Sequence, residues 1–174
     1  ATASQAVAMG RGASAAAQGT IAIGGDSLDA GSDGAQATGA NAIAIGADAE
    51  ASAGSSIAFG PIARAIGIQG TAIGSQAVAV GRLSIAIGTI ARSDGEEAIA
   101  FGALSSATAE RATALGVNAQ ATGIRSLALG ANSTADLNAP GAQASGQDSI
   151  ALGTDTEAND VNAMAFGTRA RAFG

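Results

Sequence analysis

The chain has 174 residues, a net charge of −6 and a composition dominated by Ala and Gly. The acidic balance argues against nucleic acid, because phosphate binding needs clustered basic residues, and here all eight basic residues are Arg. Cys, His and Lys are absent, which removes disulfides, thiol chemistry and the commonest catalytic bases and nucleophiles. The sequence therefore predicts a protein that is not an enzyme and that uses no cofactor and no metal. It contains no apolar run long enough to cross a bilayer, so we expect no membrane contact by this chain.

A tetrad with the pattern hydrophobic–Ala–hydrophobic–Gly recurs along the whole chain. Eight of the ten intervals between successive closing glycines are 14 residues, and the other two are 22 and 23. A fixed period of this kind is the signature of a repeat architecture. The tetrads, with one degenerate copy at Gly74, close at Gly10, Gly24, Gly46, Gly60, Gly74, Gly88, Gly102, Gly116, Gly130, Gly153 and Gly167.

Each 14-residue unit contains two short stretches with the alternation of a β-strand. The first has small apolar residues on one face and polar residues on the other, as in Ala49-Glu50-Ala51-Ser52. The second consists of the first three tetrad residues and the residue before them, as in Ser84-Ile85-Ala86-Ile87. Glycines after the strands suit turns that need positive φ or have no room for a Cβ atom. Two strands and two turns make one coil of a parallel β-solenoid, in which equivalent strands of successive coils pair. A helix is rejected, because the period is 2 rather than 3.6 and Gly recurs within every unit.

The tetrad strand predicts self-association. It carries large apolar side chains on one face and Ala or Ser on the other, and only one face can fill a thin coil. Packing of large against small side chains favours Ile and Leu inside the coil, with Ala and Ser at a contact between chains.

Two insertions break the period, near residues 27–34 and 136–141. Insertions in solenoids bulge from one face and often carry function. Leu28 and Leu137 are large apolar residues in polar loops, so we expect contacts with a neighbouring chain or a ligand there, although neutral surface loops remain the alternative. The candidate contact residues are Asp26, Leu28, Asp29, Asp33, Leu137, Asn138 and Pro140.

The acidic residues of the first insertion have a second interpretation. Gly24-Gly25-Asp26, followed by Asp29 and Asp33-Gly34, is similar to the calcium-binding turns of nine-residue repeats. Those turns recur, whereas this one occurs once, so an acidic surface loop is favoured. The carboxylate pairs Glu96-Glu97 and Asp155-Glu157 lie at turn or outward positions and are interpreted as solvated surface.

The repeat resembles the head domain of trimeric autotransporter adhesins, the YadA-like head. The resemblance covers Val7 to Gly174 and is carried by stretches such as Ser56-Ile57-Ala58-Phe59-Gly60 and Ser126-Leu127-Ala128-Leu129-Gly130. It implies a left-handed parallel β-roll, a homotrimer, display at a bacterial cell surface, and adhesion to a host extracellular-matrix protein or cell-surface receptor. No stalk heptads or anchor segment are visible, so we expect residues 1–174 to be a single head fragment, held at the outer membrane by a segment absent from this chain.

Another class of protein fits the same repeat. A non-adhesive β-solenoid, such as a phage-fibre segment or an ice-binding protein, would have the same coils. Ice binders present a regular column of Thr, whereas the outward positions here are Glu50, Arg64, Val78, Arg92, Ser106 and Gln120. This irregular column counts against ice binding and leaves the structural fibre as the alternative to the adhesin head.

Overall fold

The computed structural model describes residues 1–26, 33–133 and 140–173, and these form a β-solenoid of 22 strands in two parallel sheets. Each coil contributes a three-residue strand to sheet A and a two-residue strand to sheet B. The strands of sheet A are β1 Val7–Met9, β3 Ile21–Ile23, β5 Ile43–Ile45, β7 Ile57–Phe59, β9 Thr71–Ile73, β11 Ile85–Ile87, β13 Ile99–Phe101, β15 Thr113–Leu115, β17 Leu127–Leu129, β19 Ile150–Leu152 and β21 Met164–Phe166. The strands of sheet B are β2 Ser14–Ala15, β4 Gln36–Ala37, β6 Glu50–Ala51, β8 Arg64–Ala65, β10 Val78–Ala79, β12 Arg92–Ser93, β14 Ser106–Ala107, β16 Gln120–Ala121, β18 Gln143–Ala144, β20 Glu157–Ala158 and β22 Arg171–Ala172.

The predicted 14-residue coil is confirmed by the pairing register. Ala86 of β11 pairs with Ala72 of β9 on one side and with Ala100 of β13 on the other. In sheet B, Val78 pairs with Arg64 and Arg92. Each residue therefore lies next to its equivalent in the neighbouring coils, and each coil position forms a column along the solenoid.

The core of the solenoid consists of Ala, and this corrects the expected orientation of the tetrad strand. The central tetrad alanines, such as Ala58, Ala86 and Ala128, are fully buried, as are Ser84 and the sheet B alanines of the inner coils. The flanking Ile, Leu and Phe side chains are half-buried or exposed. The prediction that Ile and Leu lie inside was wrong, because both sheets turn columns of small residues inward and the thin coil has no space for larger ones. The large side chains lie on the outer face of sheet A.

Two kinds of glycine are required by the tight coil. The closing glycines have positive φ, as at Gly88 with φ 133°, and a Cβ there would lie 2.5 Å from the carbonyl oxygen of Gly102 in the next coil. At Gly81, between the strands, a Cβ would overlap the carbonyl oxygen of Gly95. Both glycines therefore permit the backbones of neighbouring coils to approach closely.

Two corners connect the sheets in every coil. The closing corner follows the closing glycine, as at Gly60–Ile62, and the mid-coil corner lies between sheet B and sheet A, as at Gly67–Gln69. At most corners one non-glycine residue adopts the left-handed conformation, including Asn41, Asp48 and Ile62 with φ of 54–59°, whereas glycines do so at Gly12 and Gly19. Asn and Asp tolerate this conformation, whereas β-branched Ile62 is strained by it.

Both insertions leave the solenoid at the closing corner. The first lies between β3 and β4 and the second between β17 and β18, seven strand steps apart in sheet B. At about 4.8 Å per step, the bases of the two loops are separated by roughly 34 Å along one edge. Pairing continues across them, since Ala15 pairs with Ala37 and Gln120 with Gln143. The insertions therefore add loops without interrupting the stack.

Candidate functional site

The outer face of sheet A is an apolar stripe that runs the length of the solenoid. Its residues flank the buried tetrad alanines, and Phe59, Phe101 and Phe166 are 51%, 50% and 58% exposed in the single chain. A soluble monomer rarely leaves such a continuous apolar surface in water. The geometry therefore provides a surface suited to burial against another polypeptide.

The first insertion is anchored to the preceding coil by one ion pair. The Arg11 guanidinium donates to the Asp26 carboxylate, whose side chain is completely buried. The Asp26 amide also donates to the Arg11 carbonyl oxygen at 3.2 Å. Asp26 is thus a structural anchor at the base of the loop.

The other candidate residues of this loop have different positions. Asp33, at the end of the loop, is exposed. Leu28 and Asp29 lie outside the described residues. The contact role predicted for this loop stays a prediction.

The second insertion is anchored to the following coil through Ser133 and Asp155. The Ser133 amide donates to Asp155 Oδ1 at 3.0 Å, and its hydroxyl donates to Oδ2. The hydroxyl and amide hydrogen bonds of Ser133, aided by the charge of Arg169, lower the pKa of Asp155. Hydrogen bonds to a carboxylate favour its charged form, so Asp155 holds the base of this loop as an anion.

A groove of about 370 Å³ lies beside the second insertion. Pro140 is half-buried and lines it, whereas Leu137 and Asn138 lie outside the described residues. The charges in the groove are paired, since Arg171 Nη2 lies 3.0 Å from Glu157 Oε1. The sequence analysis did not single out Arg169 and Arg171. Their positions in the repeat, Arg169 at a corner and Arg171 in sheet B, nevertheless indicate that both face outward. The lining residues are Asn132, Pro140, Gln143, Asp155, Glu157, Arg169 and Arg171.

The outer face of sheet B is a polar wall with one aliphatic patch. Ion pairs join successive coils along the wall, as between Arg64 Nε and Glu50 Oε2 at 2.8 Å. The patch, formed by Ile66, Ile68, Val78 and Val80, interrupts this pattern near the middle of the solenoid. The sequence showed Val78 in its outward column, but the neighbouring positions of the other three residues became apparent only when the coils were stacked.

Residues 1–26, 33–133 and 140–173 contain neither a cluster of metal ligands nor a membrane-spanning helix. Across these ranges no group of three or more acidic, His or Cys side chains is arranged to hold a metal ion. The same ranges contain no helix long and apolar enough to span a bilayer.

The YadA head domain repeat matches residues 1–27, 37–61, 65–89, 79–105, 107–133 and 144–170, which together cover most of the chain. The chain belongs to the YadA head repeat family. The interrupted match around residues 28–36 and 134–143 coincides with the two insertions.

A solved structure supports the same assignment. The crystal structure of the collagen-binding domain of Yersinia adhesin YadA is similar to this chain at a TM-score of 0.63 and 28% identity, covering 89% of this chain and 80% of that chain. No curated protein sequence matches the chain. The family match and the similar structure confirm the predicted solenoid architecture and make the present chain an adhesin-like head.

Proposed function

We propose that this chain is the head of a homotrimeric bacterial surface adhesin, which attaches to a host extracellular-matrix protein or cell-surface receptor. The observation that carries the proposal is the combination of YadA head repeats with an uncovered apolar stripe on sheet A. The repeats supply the functional class, and the stripe supplies the reason for assembly.

The stripe supports a homotrimer because it repeats with the coil. Each coil adds outward apolar side chains on either side of a buried Ala, as Ile85 and Ile87 do around Ala86. Three identical stripes around a common axis would cover one another coil by coil and leave sheet B facing solvent. Burial of Phe59 and Phe101 in such an interface would contribute about 25 cal/mol per Å² of apolar surface removed from water.

The proposed ligand is an extracellular-matrix protein of the collagen type. The similar Yersinia domain is described as collagen-binding, and its coverage spans most of both chains. The three chains of one trimer would present three copies of any contact surface, so weak individual contacts would combine through avidity. We place the adhesin at the bacterial cell surface, attached to the outer membrane. The phage-fibre and ice-binding alternatives are not favoured by the family match.

The insertions are proposed contact sites for a neighbouring chain or for the ligand. Both begin at a closing corner on the same edge of the solenoid, and each is anchored at its base by a charged group, Asp26 in the first and Asp155 in the second. Fixed bases would hold the two loops at a constant separation. This arrangement suits a contact with an extended partner or with the adjacent protomer.

Assembly and adhesion are tested together on the purified chain. Sedimentation velocity should show a trimer, and immobilised collagens, other matrix proteins and host cells should retain it. Bovine serum albumin supplies the surface control, and heat-denatured chain supplies the protein control. A stable monomer that binds no host material would overturn the proposal, whereas a trimer that binds matrix supports it.

A further inference from the structure

We infer that the aliphatic patch of Ile66, Ile68, Val78 and Val80 on sheet B is the contact site for a collagen triple helix. The inference rests on the proposed adhesive function and assigns it to particular residues. The patch lies on the face opposite the apolar stripe, so it stays accessible when sheet A is covered.

The patch is continuous because of the coil register. Val78 and Val80 flank Ala79, which is completely buried, so both side chains point away from the core. Ala65 pairs with Ala79, which places Ile66 beside Val80 in the neighbouring coil. Ile68 follows at the mid-coil corner and is 57% exposed. Four branched aliphatic side chains from two adjacent coils thus form one surface.

The patch is exceptional among its own columns. The column of Val78 elsewhere contains Ser, Gln, Glu and Arg, and the column of Ile66 and Val80 is mainly Ser, Thr, Asp and Asn. Coil stacking does not require aliphatic side chains at these outward positions, since polar residues occupy them in other coils. Scattered apolar surface residues are ordinary, whereas these four are contiguous and rimmed by polar residues, which is the arrangement typical of a contact surface.

The rim of the patch indicates what kind of partner fits. Arg64 and Arg92 lie on either side of Val78 in the same column. Each is already paired, Arg64 with Glu50 at 2.8 Å and Arg92 with Asp94 at 2.7 Å. The rim therefore offers no excess charge of either sign to a partner. Attraction must come from apolar burial, which favours a partner with an uncharged and apolar surface.

A collagen triple helix meets this requirement. It winds three polyproline-like chains with Gly at every third position, so proline rings cover much of its surface. Its chains are already ordered, which limits the entropy lost on binding an exposed wall. Single polyproline-type segments dock in apolar, aromatic-lined grooves, and the aliphatic patch offers apolar contacts of the same chemistry on an open wall.

The test uses the assembled trimer and a charge-free probe, the triple-helical peptide (Pro-Pro-Gly)n. The loss variant carries Ile66→Thr, Val78→Gln and Val80→Thr, because Thr and Gln occupy the same columns in other coils and should be tolerated. We expect its affinity to fall roughly tenfold or more at unchanged melting temperature. Binding by the unsubstituted trimer should change little between low and moderate salt.

A transplant supplies the matched control. Thr108→Ile, Glu110→Ile, Gln120→Val and Thr122→Val rebuild the four-residue pattern three coils further along the wall, since each position is shifted by three repeats of 14. Added to the loss variant, these changes should restore binding. A transplant without recovery, or equal affinity of the loss variant and the unsubstituted trimer, overturns the inference.

The outcomes separate this inference from the proposed function. A trimer that binds other matrix proteins or host cells but not the triple helix leaves the adhesin intact and overturns the collagen site. A trimer that binds no host material overturns the adhesin itself. Loss of triple-helix binding in the loss variant, followed by its recovery in the transplant, supports the patch as the collagen contact site.

Discussion

Arg125 and Asp148 form a two-point ion pair between successive coils, although 23 residues separate them in sequence. Arg125 Nε lies 2.6 Å from Asp148 Oδ1, and Nη2 lies 2.7 Å from Oδ2. Both residues occupy the mid-coil corner, and the second insertion lies between them along the chain. The ion pair therefore shows that the second insertion, which begins at the closing corner, does not disturb the mid-coil corner.

The first prediction concerns the ionisation of Asp148. Its pKa lies below the ordinary value of 3.8, because Arg125 and then Gln147 hydrogen bond to the carboxylate. A carboxylate with a lowered folded pKa contributes stability above its unfolded pKa, and this is lost as the pH falls through the folded value. Replacing Arg125→Gln should raise the Asp148 pKa, measured by NMR titration, and reduce the loss of stability between neutral and acidic pH. Arg64→Gln, at a distant coil, is the control and should leave the Asp148 pKa unchanged.

The second prediction concerns the Ala core. Ala86 is completely buried between Ala72 and Ala100 in sheet A, so Ala86→Val should overpack the coil. We expect a loss of about 1–3 kcal/mol in the free energy of unfolding. Ala40→Val, at an exposed corner, should change it by no more than about 0.5 kcal/mol. Chemical denaturation of both variants provides the measurement, and similar values would contradict the small-residue core.

The third prediction separates required from replaceable glycines. Gly88→Ala would place a Cβ 2.5 Å from the Gly102 carbonyl oxygen at a φ of 133°, and should destabilise the solenoid by roughly 3 kcal/mol. At Gly54 the nearest atom to an added Cβ is the Ala40 oxygen at 4.0 Å, so Gly54→Ala should change stability by less than about 1 kcal/mol. Thermal melts of the two variants measure the difference in stability. An unchanged melting temperature for Gly88→Ala would show that neighbouring coils separate easily.

The sequence was sufficient to predict the coil length, both strands of each coil and the turn glycines, because the 14-residue period fixes them together. It did not determine which face of the tetrad strand points inward. Strand alternation assigns Ile85 and Ile87 to one face and Ser84 and Ala86 to the other, but it gives no absolute direction. The available signal was the Ala column of the first strand, which indicates a coil too thin for large side chains.

The surface was less predictable than the core. The patch depends on the neighbouring positions of Ile66 and Val80, which belong to different coils and become adjacent only in the stack. Left-handed Ile62 was also unexpected, since a β-branched residue at this position has no local preference for it. The contacts of the candidate loop residues are not predictable either, because local sequence within an insertion does not specify what it contacts.

The fourth prediction separates folding from assembly. Ile87 lies on the outer face of sheet A, so Ile87→Asp should place an unpaired charge in the trimer interface while leaving the coil core intact. We expect a β-type circular dichroism spectrum together with a shift from trimer to monomer in sedimentation. Arg92→Ala, on the outer face of sheet B, should leave both measurements unchanged. An unaltered trimer in the Ile87→Asp variant would place the interface elsewhere.

The fifth prediction concerns the insertions, which can be removed without changing the coil register. Deleting residues 27–34 leaves Asp26 followed directly by Ala35, and deleting residues 133–141 leaves Asn132 followed by Ala142. In both cases the coil returns to 14 residues. The residue at each joint is then Asp or Asn, the types found at the equivalent left-handed positions Asp48 and Asn118, so the shortened corner is compatible with their backbone conformation.

Each shortened chain should therefore stay folded, with the circular dichroism spectrum and melting temperature of the intact solenoid or a slightly higher melting temperature, because a shorter loop loses less entropy on closure. If the loops contact a neighbouring chain, the trimer should dissociate at a higher protein concentration than the intact protein. If they contact a ligand, retention on matrix proteins should fall while the trimer persists. Sedimentation and matrix binding of the two deletions, measured side by side, distinguish these roles. Unchanged values for both deletions would mean that the loops bind nothing and that adhesion belongs to the repetitive wall of sheet B.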